Sequence, residues 1–599
     1  MSSKKQKFAV IDFGGQYAHL IANRLRKLGV YTEIKHSHEK ADAFQEYTGI
    51  VFSGGPSSVY EKNAPQIDPQ IFELNIPILG ICYGHQLLSQ TLGGSVKPGT
   101  VKEYGIAEFK LKEESHPLLA GLPQSSPMWM SHGDKVADLA PGFRHIAYTD
   151  DCDTAAIAND DKKIYGIQFH PEVTHSQFGL KLMENFLDIC GAQKDWDMAA
   201  YFDDISARIL AQVKDEKVFL LVSGGVDSTV AFVLLNKVLG KDRVLGLHID
   251  TGTMRMNESA KVVEFLFAAG MDNLKVVDAS DEFLKNLVGQ TEPEAKRKII
   301  GQTFLDVKDS ETASLGLNAA EWLLAQGTIY PDTIESGGTQ NADIIKTHHN
   351  RVEGILELMK QGRIIEPLAD LYKDEVRELG EQLGIPHDLV WRHPFPGPGL
   401  GVRLLCSDGT PQGVTQGSIG GLDELLTQNN LKARLLPIQS VGVQGDARSY
   451  AQPLVLSGNL SWKECEKWAT QIPNHYKAIN RVVLHVGGNW EAPELVEQYC
   501  TREHLDFLRI ADDVCTQFLQ EHNLYNVIWQ MPVVLLPLRI QEKPVIVLRP
   551  VESSEAMTAN FYEMDTALFP LLWEKLEKVG VGAVWYDITH KPPGTIEWE

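Results

Sequence analysis

The 599-residue sequence predicts a multidomain α/β protein built on parallel sheets, and three observations carry that prediction. At Leu221–Val230 an apolar run breaks into Ser223-Gly224-Gly225-Val226-Asp227-Ser228 and resumes as a helical stretch. At Ile76–Leu88 a second apolar run breaks into Gly80-Ile81-Cys82-Tyr83-Gly84 before another helical stretch. In the last third, two segments about one hundred residues apart repeat the order strand, strand, helix, strand.

Length and composition bound the answer first. The chain is too long for one core, so about three domains are expected. Hydrophobic content of 43% and charged content of 23% are those of a globular protein. The start, MSSKKQKFAV, has no apolar leader and no run is long enough to span a bilayer, so a cytoplasmic chain with no membrane partner is expected. Seven cysteines without Cys-x-x-Cys spacing speak against a disulfide framework and against structural zinc. A net charge of −23 speaks against a nucleic-acid partner, whose phosphates need a basic stripe. Small anions remain possible, because local cations and helix N-termini decide those.

The first domain is read as 7–192. Phe8–Asp12 is a short strand, a helical period follows, and Thr48–Phe52 is a strand ending in Ser53-Gly54-Gly55-Pro56. Gly80-x-Cys82-x-Gly84 between strand and helix has the pattern of a nucleophile elbow with cysteine in place of serine. The glycines relieve crowding at a strained turn. A cysteine nucleophile needs a base, and the strand from Ile164 delivers His170-Pro171-Glu172. Residues two apart on an extended segment face the same way, so Glu172 can orient His170, and His170 can take the proton of Cys82. Singly, a buried cysteine is more often core filler and a histidine a satisfied core residue. Elbow, His-x-Glu and the Ser-Gly-Gly-Pro turn in one alternating domain favour chemistry, with the N–H groups of Gly55 and Tyr83 as the oxyanion hole.

These residues resemble those of class I glutamine amidotransferases. The resemblance implies glutamine hydrolysis through a thioester on Cys82 and delivery of ammonia, with Gln86 and Ser131-His132-Gly133-Asp134 as weaker candidates for glutamine contacts.

Residues 193–216 read as an amphipathic linker helix and 217–400 as a nucleotide domain. In Ser223, Gly224, Gly225, Val226, Asp227 and Ser228 the glycines bring backbone N–H groups close to an anion, the serines add hydroxyls, and the following helix adds its positive end. A carboxylate facing phosphate needs a cation between them, so Asp227 is a candidate ligand of Mg2+. No Gly-rich run ends in Lys and Ser or Thr, which disfavours γ-phosphate transfer. SGGVDS resembles the PP-loop of ATP pyrophosphatases, of the adenine nucleotide α-hydrolase-like fold, which adenylylate a substrate and release pyrophosphate. Further on, KRKIIG from Lys296 is by charge alone as well explained by a solvated helix face. GTIYPDTIES, IKTHHN and RHPFPGPGLG are too rich in Gly, Pro and polar residues for simple elements and read as substrate loops, with His348 and His349 lacking metal-ligand partners.

With the terminal KPPGTIEWE, these strings make the whole chain resemble the glutamine-hydrolysing GMP synthases. That resemblance implies glutamine, ATP and xanthosine 5′-monophosphate (XMP) as substrates. It also implies XMP contacts at Arg297, Asp446, Arg448, Gln530, Lys591, Thr595 and Glu597, and a movable segment at Lys296–Thr303. The repeat is read as two copies of a C-terminal domain, 401–500 and 501–599. An internal copy can replace a dimer partner, so a monomer is favoured over a homodimer. Two rivals are weighed. An NAD synthase would carry neither this amidotransferase type nor KPPGTIEWE, and a non-catalytic sensor would be expected to lose Cys82, His170 or Asp227.

Overall fold

The computed structural model describes residues 6–15, 17–315, 321–332, 363–444, 447–552 and 559–599. The chain forms two compact units, Met1–Asp204 and Ile205–Glu599. Among the described residues no helix is long and apolar enough to cross a membrane.

The first unit is organised by β1 (Phe8–Asp12), α1 (Ala18–Lys27), β2 (Thr32–His36), β3 (Gly49–Phe52), β4 (Ile78–Ile81), α2 (Tyr83–Thr91), β5 (Ser95–Leu111), β6 (Ser125–Asp138), β7 (Arg144–Tyr148), β8 (Ala156–Asn159), β9 (Ile164–Ile167) and α3 (Gly179–Cys190). The strands form one sheet in the order β2-β1-β3-β4-β9-β8-β7-β5-β6. From β2 to β9 the neighbours are parallel, and from β9 to β6 antiparallel. The parallel strands β3, β4 and β9 are buried throughout, as continuous apolar runs require when helices cover both faces. Because they are adjacent and parallel, whatever follows each of them emerges at the same sheet edge.

Helix α4 (Met198–Val213) runs across the division between the units. The second unit opens with β10 (Lys217–Leu221), α5 (Val226–Leu239), β11 (Val244–Asp250), α6 (Glu258–Ala268), β12 (Leu274–Asp278), α7 (Ser280–Asn286), α8 (Pro293–Ser314), β13 (Trp322–Ala325), β14 (Ile364–Ile365) and α9 (Lys373–Gln382). Its parallel sheet has the order β12-β11-β10-β13-β14, so strand order reverses at β10, where open α/β sheets bind ligands. The expected movable segment 296–303 lies within α8, where Lys296, Ile300 and Thr303 are buried.

The remainder contains β15 (Ser407–Asp408), β16 (Lys432–Leu435), β17 (Ser440–Gln444), β18 (Ala447–Ser457), α10 (Trp462–His475), β19 (Ile479–Gly488), β20 (Glu494–Leu495), β21 (Glu497–Gln498), α11 (Arg502–Glu521), β22 (Val533–Ile540), β23 (Lys543–Leu548), a small hairpin of β24 (Val551–Glu552) and β25 (Asn560–Phe561), α12 (Phe569–Lys578) and β26 (Ala583–Asp587). The two segments read from the sequence as copies enter one sheet, β16-β18-β19-β26-β23-β22-β20, with β17 paired to β18. Around the antiparallel centre β19–β26, each side has a parallel pair and then an antiparallel one. Arg481, Arg549 and Asp587 are fully buried there. Arg481 Nη1 lies 2.8 Å and Arg549 Nη1 3.2 Å from the Asp587 oxygens, and Trp598 Nε1 donates to the same carboxylate at 2.9 Å. Burial pulls the Arg481 guanidinium down to about 10, with Asp587 opposing it. Asp587→Ala leaves two buried cations unpaired, so a loss of about 3–5 kcal/mol is expected in the second unit's urea transition. A loss below about 1 kcal/mol would mean that the guanidinium groups are satisfied without it.

Candidate functional site

The ends of β3, β4 and β9 bring the first constellation together. Phe52 pairs with Gly80 and Ile81 with Ile167, so Ser53-Gly54-Gly55, Cys82 and Gln168–His170 leave the sheet side by side. Cys82 sits between strand and helix at φ 50°, ψ −105°, a strained backbone for a residue with a Cβ. The turn is pinned on both sides, Cys82 N–H donating to Ile167 O at 2.8 Å and Gly84 N–H to Ser53 O at 3.0 Å. Close approach explains the glycines: a Cβ on Gly80 would lie 2.3 Å from Leu88 Cδ2, and one on Gly84 2.5 Å from both Phe52 Cβ and Phe52 O. Gly84→Ala is therefore expected to lower the first unit's stability by about 1–3 kcal/mol, read from thermal unfolding, with a parallel loss of glutaminase activity. An unchanged melting curve would contradict the packing described.

His170 Nδ1 lies 2.7 Å from Glu172 Oε1. The carboxylate accepts, so Nδ1 carries the proton and Nε2 is left for the thiol. Burial pulls the imidazolium's pKa down, but the charges of Glu172 and Cys82 and hydrogen bonds to both outweigh it and hold it well above its ordinary value. A Cβ on Gly54 would lie 3.0 Å from His170 Cε1 and 3.8 Å from Cys82 Cβ, so the bare glycine fits between the imidazole and the cysteine. Tyr83 opens α2, and its N–H has no intrahelical acceptor. Gln86 Nε2 donates to Asp134 O at 2.9 Å and Gln168 Oε1 at 3.2 Å. Sequence reasoning missed Glu103, whose Oε2 lies 2.9 Å from His132 Nε2, because no local pattern ties the two.

The second constellation follows β10. Gly224 has φ +81°, which a side chain would resist. Ser223 Oγ accepts from Gly225 N–H at 3.2 Å and lies 3.0 Å from Ser228 Oγ, closing the loop on itself, and Val226 begins α5. Asp227, in the first turn of α5, faces Lys373 Nζ, at 2.6 and 2.7 Å from its two oxygens. That lysine, in the first turn of α9, carried no signal in the sequence. Arg392, from RHPFPGPGLG, donates to Gly224 O and pairs with Glu258 at 2.7 Å. Gly327 stands over the start of α5, where its Cβ would be 3.1 Å from Ser228 N. Thr333–Ser336 and Ile345–Asn350 lie outside the described residues. At the ends of β11 and β12 a cavity of about 270 Å³ is lined by three arginines, Arg255, Arg502 and Arg509, and three carboxylates, Asp250, Glu258 and Asp278, among others.

The third constellation is the terminal segment. It runs along β17, with Val443 N–H donating to Pro593 O at 2.7 Å and Val441 N–H to Trp598 O at 2.9 Å. Arg448 lies in β18, opposite Val443 in the ladder with β17, and Asp446 lies outside the described residues. Thr595 Oγ1 accepts from Arg481 Nη2 at 2.8 Å. The Glu597 carboxylate is gripped by Arg403, Nε at 3.1 Å and Nη2 at 2.9 Å. Arg297 donates to the Glu599 backbone carbonyl, and Lys296 Nζ, wholly buried, lies 2.5 Å from Glu599 Oε2. Gln530 Nε2 donates to Pro394 O at 3.0 Å. Lys591 bridges to Ala559 through its backbone, and its ammonium is lowered by burial and by Arg549. Thus Arg297, Thr595 and Glu597 meet on the terminal segment, while Gln530 and Lys591 flank the β24–β25 hairpin through bridges to Val551 and Ala559.

Three family models match the chain: glutamine amidotransferase class-I over residues 9–190, NAD synthase over 200–298 and the GMP synthase C terminal domain over 517–598. A "Probable GMP synthase (glutamine-hydrolyzing)" of Leptospira interrogans serovar copenhageni is 48% identical over 603 residues, covering 99% of each chain. The GMP synthase (glutamine-hydrolyzing) of Limosilactobacillus reuteri is 43% identical over 507 residues, 80% of this chain and 96% of its own. That of Clostridium novyi is 43% identical over 513 residues, 81% of this chain and 98% of its own. With an amidotransferase elbow in one unit and a phosphate-type loop at the sheet reversal of the other, this chain belongs to the glutamine-hydrolysing GMP synthases.

Proposed function

We propose that the chain converts ATP, XMP, glutamine and water into AMP, pyrophosphate, GMP and glutamate through two chemically separate sites. The observation that carries this is that one chain holds both a Cys82–His170–Glu172 constellation and a Ser223–Ser228 loop at a strand-order reversal. In the first site, Cys82 Sγ attacks the glutamine carboxamide carbon and His170 takes the thiol proton. Glu172 holds the imidazolium, and the N–H groups of Gly55 and Tyr83 receive the oxyanion. Ammonia leaves with a proton from His170, and water then hydrolyses the thioester.

In the second site, the loop amides and hydroxyls cradle the ATP phosphates. The oxygen on C2 of XMP attacks the α-phosphorus, pyrophosphate leaves, and ammonia displaces AMP from C2. The hard-oxygen donors Asp227, Ser223 and Ser228 fit Mg2+, which characteristically takes one carboxylate and completes its shell with phosphate oxygens and water. Asp227 would hold it once Lys373 turns towards phosphate, and it would supply neutralisation of phosphate charge. Arg297, Arg448 and Lys591 suit the XMP phosphate, while Asp446, Gln530, Thr595 and Glu597 suit its polar groups. The C-terminal region is read as an internal duplication, in keeping with pairings that repeat around β19–β26 and with the fifth of the chain that shorter relatives leave unmatched. On that reading the chain is a cytosolic monomer.

Pyrophosphate release from Mg-ATP tests the reading: it should require XMP, proceed without glutamine, and yield GMP when ammonium is supplied. Absence of XMP-dependent pyrophosphate would overturn the acceptor assignment.

A further inference from the structure

Two free thiols that none of these steps uses meet inside the second unit. Cys406 and Cys500 are 94 positions apart, yet their Sγ atoms lie 3.8 Å from one another, brought together by the short β15–β21 ladder. Lys296 Nζ lies 3.6 Å from Cys406 Sγ, while also donating to Gly401 O at 3.1 Å and Leu404 O at 2.8 Å. The two sulfurs differ in access. Cys500 is buried, whereas Cys406 lines a cavity of about 340 Å³ with Gln412, Gln439, Tyr450, Trp598 and Glu599. One thiol can therefore be reached by a small reagent, and the other stands behind it.

The electrostatics suit a reactive pair. The hydrogen bond from Cys406 lowers the Cys500 thiol against the effect of burial, and Lys296 adds to the lowering. The same bond and burial raise Cys406. Cys406 is thus the hydrogen-bond donor of the pair and Cys500 the sulfur better able to hold negative charge, with the Lys296 ammonium beside them. Cys465 and Cys515, unlike Cys500, are pushed up by burial and by nearby carboxylates.

We propose that Cys406 and Cys500 form a peroxide-sensitive dithiol that closes reversibly to a disulfide at the foot of the C-terminal segment. Cys406 passes its proton to the Cys500 sulfur 3.8 Å away and attacks hydrogen peroxide, an S–O bond forms, the O–O bond breaks, and hydroxide leaves as water after taking that proton. Cys500 sulfur then attacks the Cys406 sulfenic acid, the S–S bond forms, the S–O bond breaks, and a second water leaves. Two thiols lose two electrons and peroxide gains them. Closing the pair to an S–S distance of about 2.05 Å draws in the segments that carry both residues. It also alters the sulfur 3.6 Å from Lys296, the residue that precedes Arg297 and pairs with Glu599. The effect on GMP synthesis rests on the proposed XMP contacts, whereas formation of the bond does not.

The test uses the full chain carrying Cys82→Ala, which removes the other candidate reactive thiol. After brief hydrogen peroxide treatment, alkylation in denaturant and peptide mapping should recover a Cys406–Cys500 linked peptide that dithiothreitol abolishes. With Cys500→Ser added, Cys406 should stop at a sulfenic acid trapped by dimedone. Full alkylation of both cysteines after treatment, at peroxide doses that oxidise other thiols, would overturn the proposal. XMP-dependent pyrophosphate release, measured with ammonium present, should fall roughly 10-fold on oxidation, return with dithiothreitol, and not respond in Cys406→Ala. If the linked peptide forms while this rate is unchanged, the disulfide stands and its coupling to the XMP segment is wrong.

Discussion

Replacing Cys82 by serine is expected to lower glutamine-dependent GMP formation by roughly 10⁴-fold or more, while ammonium-dependent formation stays largely intact. The hydroxyl would occupy the same strained elbow, pinned by Ile167 and Ser53, with His170 and Glu172 in place. What is lost is the sulfur nucleophile, because a serine hydroxyl gives up its proton to His170 less readily and its oxygen is intrinsically the weaker nucleophile. Every residue of that constellation lies in the first unit, so the nucleotide chemistry of the second should survive. Steady-state rates with glutamine and with ammonium distinguish the cases. Equal loss of both rates would show that the chemistries are not separable.

Asp227→Asn should reduce XMP-dependent pyrophosphate release by roughly 10²–10³-fold and leave glutamine hydrolysis at Cys82 unaffected. The change keeps the side chain's size at the first turn of α5 and removes its charge. Two things then fail together: the only carboxylate proposed to hold the divalent cation is gone, and Lys373 loses the partner at 2.6 and 2.7 Å. Lys373→Met separates them. If the lysine turns towards phosphate during turnover, that variant also falls by at least about 10-fold. If it only neutralises an idle Asp227, pyrophosphate release is retained. A fully active Asp227→Asn enzyme would contradict the site.

The parts of this molecule legible in the sequence are those fixed by short range. Cys82, Gly55 and His170 each follow an apolar run by one to three residues, and runs that end in Gly or His are visible as strings. Glu172 is legible for the same reason, two residues along an extended segment from His170. Pairings across the chain were not. Lys373 reaches Asp227 over 146 positions and reads locally as an ordinary helix-start lysine. Lys296 looks like a solvated charge in KRKIIG, but the carbonyls of Gly401 and Leu404 and the Glu599 carboxylate satisfy it in the interior. Arg403 gave no sign that it would grip Glu597 near the end of the chain. The strands of the last third were legible as strings, yet not that β19 and β26 would pair within one sheet, since that register exists only between distant residues.

The most direct measurement places oxygen-18 on C2 of XMP and follows it through GMP formation from ammonium and Mg-ATP. Attack by that oxygen on the α-phosphorus should leave the label in the phosphate of AMP, with none in pyrophosphate or in water. Label in water or inorganic phosphate, with unlabelled AMP, would contradict adenylylation of the base and with it the assignment of the second site.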